Sequence, residues 1–209
     1  MKRAKKKSDQ PRFERKLPDE RRRALIEATI ECLKRHGHEG LSIRRISAQA
    51  KVSIGLINHH FPTKDALVAE AYRYFNNELV SGLRQAVAQV VGSPREQLRA
   101  FFKASFSPPN LDSDTLAVWV VFWGMYRHSK DIQRVQSETY HGYLDIVRGM
   151  LADLERETGQ LGFNLRLAAI GLTALLDGLW LEWCLDPDSF EPADAVELCE
   201  AWVDRLERK

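Results

Sequence analysis

The 209-residue sequence predicts an all-α fold, and three observations carry that reading. Apolar residues recur at three- and four-residue spacing along most of the chain, the repeat that lines one face of an α-helix. The periodic stretches are separated by turn residues: Gly37 and Gly40, Lys51-Val52, Pro62, Gly92-Ser93-Pro94, Ser107-Pro108-Pro109, Ser129-Lys130, Gly159 to Gly162 and Asp186-Pro187. No segment alternates apolar and polar residues with the period of two that a half-buried strand needs.

The elements follow in order. Residues 1–17 are basic and poor in apolar side chains, and read as a flexible arm. Pro18-Asp19-Glu20 puts proline and two carboxylates where a helix start favours them, and Leu25, Ile26, Thr29, Ile30 and Leu33 mark its buried face. Ser42 caps a short helix to about Ala50; Lys51-Val52 makes a tight turn, and Ser53 caps a second short helix to about His60. In the first, Ile43, Ile46 and Ala50 face inward; in the second, Ile54 and Ile57 do. A long helix spans 64–91, and others follow at 94–105, 113–128, 131–158, 164–185 and 192–208. The organisation expected is an arm (1–17), a helix-turn-helix domain (18–63) and a larger helical domain (64–209) for ligand binding and dimerisation.

Charge is divided unevenly. Residues 1–60 hold 16 Lys and Arg against 7 Asp and Glu, whereas residues 61–209 hold 15 against 22. A basic end suits a polyanion. A recognition helix in the major groove needs short polar groups near its start and a backbone that can approach phosphate. Ser53, Gly55, Leu56, Asn58, His59 and His60 supply that face, with Asn58 able to read adenine through its amide. Ser42, Arg44, Arg45, Lys51 and Lys64 surround it as phosphate contacts. Lys2, Arg3, Lys5, Lys6, Lys7, Arg12, Arg15 and Lys16 extend the basic surface along the duplex or into the minor groove.

The pattern Ile46, Ala50, Val52-Ser53, Gly55, His60-Phe61, Lys64 and Leu67 resembles the TetR family of repressors over residues 22–68. The resemblance implies that residues 42–61 are the DNA-binding motif, that Lys64 contacts phosphate, and that double-stranded operator DNA is the partner of a homodimer. Two positions depart from the family pattern: Lys51 stands where glycine is usual, and Asn58 where tyrosine is usual.

Along 113–128, Trp119, Phe122, Trp123 and Tyr126 form one aromatic stripe, a pattern more often core than pocket. In 164–185, Ala168, Gly171, Leu175 and Gly178 share one side, small enough for a two-fold dimer seam, whereas Thr173, Asp177, Trp180 and Cys184 lie nearly opposite. A carboxylate facing an apolar interior calls for an internal partner, such as an arginine or a helix N-terminus, or for a cationic ligand. Aromatic faces with a carboxylate suit a quaternary ammonium, which is held by cation–π attraction. Trp119, Phe122, Trp123, Tyr126, Asp177, Trp180 and Trp183 are therefore the candidate ligand contacts. Ala117 to Trp123 and Leu176-Asp-Gly-Leu-Trp-Leu181 resemble the C-terminal domain of the choline-responsive BetI-like repressors. That resemblance implies choline or a related organic cation as effector; a bulky lipophilic or polyamine effector is the other reading.

Other classes fit less well. No nucleophile–base pair, Gly-rich phosphate loop or metal-spaced cluster stands in the sequence, so no enzyme, cofactor or metal is expected. His59-His60 points two ways around a helix and has no carboxylate or cysteine at ligand spacing. The cysteines, Cys32, Cys184 and Cys199, suit a reducing compartment. No apolar run follows the basic start, and Arg166, Asp177 and Glu182 interrupt the longest apolar stretch, so neither a secretory signal nor a membrane span is expected. The reading is a cytoplasmic, DNA-binding repressor.

Overall fold

The structure, a computed structural model, describes residues 18–159, 161, 162 and 164–207, and the basic arm expected at 1–17 lies outside them. The described residues form nine helices and no strand: α1 (Pro18–His36), α2 (Ile43–Ala50), α3 (Ile54–His60), α4 (Lys64–Ala88), α5 (Pro94–Ser105), α6 (Ser113–Met125), α7 (Lys130–Thr158), α8 (Leu165–Leu185) and α9 (Pro192–Glu207).

Local chemistry sets where most of these helices begin. The side-chain oxygens of Ser42, Ser53, Thr63, Ser93, Asp112 and Ser129 each accept a hydrogen bond from the backbone N–H three residues on. Each such cap satisfies an amide that the helix leaves unpaired, for about 1 kcal/mol. At α5 the cap is reciprocal: Glu96 accepts from the Ser93 backbone N–H in return. Two helices end earlier than their periodicity predicts. α4 stops at Ala88 because Gln89 to Gly92 must turn into the Ser93 cap, and α6 stops at Met125 because residues 126–129 reverse the chain into α7.

Two apolar cores result. The first joins α1, α2 and α3 to the start of α4, with Leu25, Leu33, Ile46, Ile57, Leu67 and Tyr72 at its centre; Phe122 of α6 and Ile132 of α7 also enter it. The second packs α5, α8 and α9 on the later turns of α4 and α7, around Leu98, Phe101, Leu151, Leu172, Cys199 and Val203. Helices α4 and α7 run through both. Where the cores meet, the stretches Asn76 to Leu83 and Gln136 to Tyr143 line a cavity.

The structure corrects two expectations about faces. Ile54 does not fill the inner face of α3; it is 41% exposed, and Ile57 alone points fully inward. Ala168, Gly171 and Leu175 do not share an outward seam. Ala168 is buried and Leu175 packs against the second core, while a Cβ on Gly171 would come within 2.9 Å of the Trp202 ring of α9. These small residues let α8 approach α9 of the same chain. Only Gly178 of the four is exposed; with Leu167, Ala174, Leu181 and Leu185 it lies on a stripe at seven-, four-, three- and four-residue steps, mostly open to solvent.

Candidate nucleic-acid interface and effector cavity

At the basic end, α2 and α3 meet at a left-handed turn. Lys51 adopts φ 54° and ψ 43°, and its N–H caps the end of α2. That conformation is cheapest for glycine, so Lys51 holds it at a steric cost. The Ser47 hydroxyl donates to the Val52 carbonyl (2.5 Å) and closes the corner. On α3, Ser53, Gly55, Asn58 and His59 are exposed, and Leu56 and His60 lie half-buried at the edges of that face. A Cβ on Gly55 would find open space, with only the Ser53 Oγ near it at 3.9 Å. Crowding inside the protein therefore does not require glycine here.

The surrounding charges differ in availability. Arg44, Lys51 and Lys64 take part in none of the ion pairs among the described residues. Arg45 is partly engaged, donating to the Gly40 carbonyl at 2.7 Å and bracing the turn before α2, while Ser42 caps α2. Arg21, which the sequence reading passed over, lines the groove between α1 and the motif beside Arg44 and Lys51. Burial, then His59, Arg22 and Arg21, holds the His60 imidazole below the usual histidine range. His60 is thus neutral near pH 7.

The cavity at the junction of the two cores has a volume of about 140 Å³. Trp119 and Trp123 of α6 and Trp180 of α8 cluster in its wall, Trp123 being 40% exposed. Their ring centroids are 6.0 Å (Trp119–Trp123), 6.4 Å (Trp119–Trp180) and 6.4 Å (Trp123–Trp180) apart, the Trp180 ring standing at 82° and 73° to the others. The Trp180 indole N–H donates to the Asn110 carbonyl at 2.8 Å, and the Asn110 amide donates to Ala104 at 3.0 Å. The α5–α6 connection thereby fixes that ring.

Asp177 also lines the cavity. Its side chain is exposed, so the carboxylate borders the cavity and is not enclosed by packed protein. No ion pair or hydrogen bond among the described residues engages it, so the internal-partner alternative is not realised. Burial alone pushes its carboxyl up to about 6. Nearby, burial first and the Asp177 charge second push the Tyr143 phenol well above the usual range.

The remaining predicted ligand residues separate. Phe122 is wholly buried and stacks on Tyr72 at 4.3 Å, so it belongs to the first core. Trp183 packs against the second core, away from the cavity lining. Tyr126 is 45% exposed and borders a shallow outer depression that shares Trp123, Gln136 and Tyr140 with the cavity. Missed were Asn76 on α4 and Gln136, Thr139, Tyr140 and Tyr143 on α7. Their three- and four-residue spacing on α7 was a readable signal, but polar residues on a long helix also suit a solvated face. Among the described residues no group of three or more His, Cys, Asp or Glu is placed to hold a metal ion.

Comparisons with known proteins agree with both ends. Residues 25–71 match the tetR family of bacterial regulatory proteins, and residues 94–208 match the C-terminal domain of BetI-type transcriptional repressors. This chain belongs to the TetR family. Within it, the HTH-type transcriptional regulator BetI 1 of Chromohalobacter salexigens is 34% identical over 185 residues, 88% of this chain and 89% of that one. A transcriptional regulator from Pseudomonas aeruginosa has 49% sequence identity and a TM-score of 0.86, covering 94% of this chain and 95% of that one. A regulator from Saccharomonospora viridis solved in complex with choline shares the fold at a TM-score of 0.76, with 19% identity and 89% and 96% coverage. The TetR-family chain is thus a DNA-binding transcriptional repressor of BetI-like type and not an enzyme, and it acts where the DNA is, in the cytoplasm.

Proposed function

We propose that this repressor binds choline or a closely related small quaternary ammonium in the cavity, and that occupancy releases operator DNA. The observation that carries the reading is an unpartnered Asp177 carboxylate in the same wall as three tryptophans whose centroids lie 6.0–6.4 Å apart. A quaternary ammonium has no N–H to donate, so hydrogen bonding contributes nothing to holding its charge. Each ring face contributes about 0.5–2 kcal/mol of cation–π attraction, and the unpaired carboxylate gains the counter-ion it lacks. Size favours the same class. A cavity of about 150 Å³ accommodates a molecule such as benzene, so one of about 140 Å³ suits a compact cation better than a long lipophilic chain. A polyamine carries several charges against one carboxylate.

For the DNA end, we assign major-groove contact to Ser53, Gly55, Asn58 and His59, flanked by Leu56 and His60. Phosphate contact falls to Arg44, Lys51, Lys64 and Arg21, with Ser42 and Arg45 serving chiefly to shape the turn and cap. The domains expected at 18–63 and 64–209 are connected by α4, which starts beside the motif and lines the cavity with Asn76, Leu79, Val80 and Leu83. An effector that prefers one position of α4 shifts the motif with it. The dimer seam is placed on the exposed stripe Leu167, Ala174, Gly178, Leu181 and Leu185, together with Leu198 of α9.

The test is a titration of the protein with choline, followed by intrinsic tryptophan fluorescence, with glycine betaine as the zwitterionic control. Saturable quenching by choline is expected, weakened at least tenfold in Asp177→Asn and Trp180→Ala. A flat titration sinks the cation reading and leaves the DNA-binding assignment in place.

A further inference from the structure

The cavity contains a second polar group without a partner. Asn76, on α4, is 6% exposed and lines the cavity. An amide carries two donors and an acceptor, and burying them unsatisfied is costly. The other amides of the lining and two of its four hydroxyls are engaged within the protein, the Tyr140 and Tyr143 phenols being the exceptions. The Ser105 hydroxyl donates to Phe101 at 2.8 Å, the Asn110 amide to Ala104 at 3.0 Å, and the Thr139 hydroxyl to Val135 at 2.8 Å. Gln136 accepts from the Tyr72 hydroxyl. No hydrogen bond among the described residues involves the Asn76 side chain, and it is not among the side-chain atoms sealed off from all accessible surface. Its amide opens on the cavity.

We infer that Asn76 is a specificity-determining residue that hydrogen-bonds an uncharged polar group, a hydroxyl or carbonyl, at the far end of the cation. The inference rests on the cation reading above and deepens it. Asp177 lies on α8 and Asn76 on α4, helices that both pack on α7 and scarcely on one another, so the two groups belong to different walls. A small ligand with charge at one end and a neutral donor–acceptor at the other satisfies both. No Lys, Arg or His lines the cavity, so an anionic tail finds no counter-ion there. The ligand class becomes a monovalent ammonium with a short, neutral, hydrogen-bonding tail. Asn76 also gives that tail a polar contact on the helix that leads into the DNA-binding motif.

The experiment compares choline with n-propyltrimethylammonium, in which a methyl replaces the hydroxyl, by calorimetry on the full chain and on Asn76→Leu. The expected result is that the parent protein prefers choline by about tenfold, the worth of one well-placed hydrogen bond. Asn76→Leu then binds both cations equally, at or above the parent's affinity for the propyl compound. Asn76→Ala gives the same comparison if leucine disturbs packing. Equal binding of both cations by the parent, or a preference that survives in both variants, overturns the role of Asn76 and leaves the cation reading intact. A preference lost in Tyr143→Phe but not in the Asn76 variants overturns it also, by moving the contact to the phenol. Binding of neither cation to the parent overturns the cation reading and this inference together.

Discussion

Asp177 pairs a cost to the folded state with the role in cation binding proposed above. Burial raises its carboxyl to about 6, above the ordinary value of 3.8, with no protein cation to offset the desolvation. Because the folded-state value is raised, the native state holds a proton that the unfolded chain has lost between these two values. Without ligand, Asp177 therefore subtracts stability as pH rises through that window, the reverse of the usual salt-bridged carboxylate. A cation needs the ionised form, so affinity has the opposite sign. Choline affinity should be level above pH 7 and fall towards tenfold per unit below about pH 6, measured by calorimetry across pH. Choline's own charge does not titrate, so the profile reports the protein; a level profile to pH 5 removes Asp177 from the site. Lys51 is a different case at the same scale. Its left-handed backbone is a position glycine would hold more cheaply, yet it puts an unpaired ammonium at the rim of the DNA-facing motif.

At the scale of elements, α8 decides most. Its mean hydropathy reaches 1.4 over an 18-residue window, a level that length and composition alone would allow to cross a membrane, yet only 28% of that window is buried within the chain. One side is occupied by α9, where Gly171 meets Trp202, and another carries Asp177 and Trp180 to the cavity. The third is the exposed stripe with Leu167 at 54% and Leu185 at 70% exposure. An exposed apolar face of this kind is unfavourable in water, which is the ground for the dimer seam proposed above. Leu167→Glu with Leu185→Glu should yield a folded monomer with weakened operator binding, read by sedimentation and thermal melting. A dimer that persists moves the seam elsewhere. Leu175→Glu, which the helical wheel alone would suggest, tests packing instead, because Leu175 faces the protein's own second core.

For the whole molecule, the two cores and the helices they share connect the cavity to the helix-turn-helix motif. Tyr72 stacks on Phe122, meets Trp119 edge-on at 5.4 Å, and donates to Gln136, so the first core and the cavity wall share residues. Ion pairs hold α4 at other points, with Arg22–Glu70 (2.8 Å) to α1 and Arg73–Glu138 (2.8 Å) to α7. If these contacts couple the sites, linkage requires reciprocity: the factor by which choline weakens operator binding equals the factor by which operator weakens choline binding. Calorimetry of choline with and without a saturating operator duplex, beside operator titrations with and without choline, checks that equality. Unchanged operator affinity at saturating choline would separate the cavity from the switch.

Helix order, caps and breaks were legible because they depend on residues within three or four positions of one another: Ser42, Ser53, Thr63 and Ser93 each act on their own first turn. The DNA-facing motif was legible for the same reason, since its turn and its polar face lie within twenty residues of chain. Asp177 with Trp119, Trp123 and Trp180 could also be singled out, because helical spacing put the aromatics on one stripe of α6 and Asp177 with Trp180 on one side of α8. The sequence alone therefore determined an all-helical DNA-binding regulator with an aromatic, acidic candidate site. Which aromatics face the cavity depended on what packs against α6 and α8. Phe122 went to Tyr72, Trp183 to the second core, and Ala168 and Gly171 to the second core and α9. Only the tertiary structure decided this, and only it brought Asn76 and Tyr143 to the cavity with Asp177, because a helix turns several faces inward at once and periodicity does not say which neighbour each one meets.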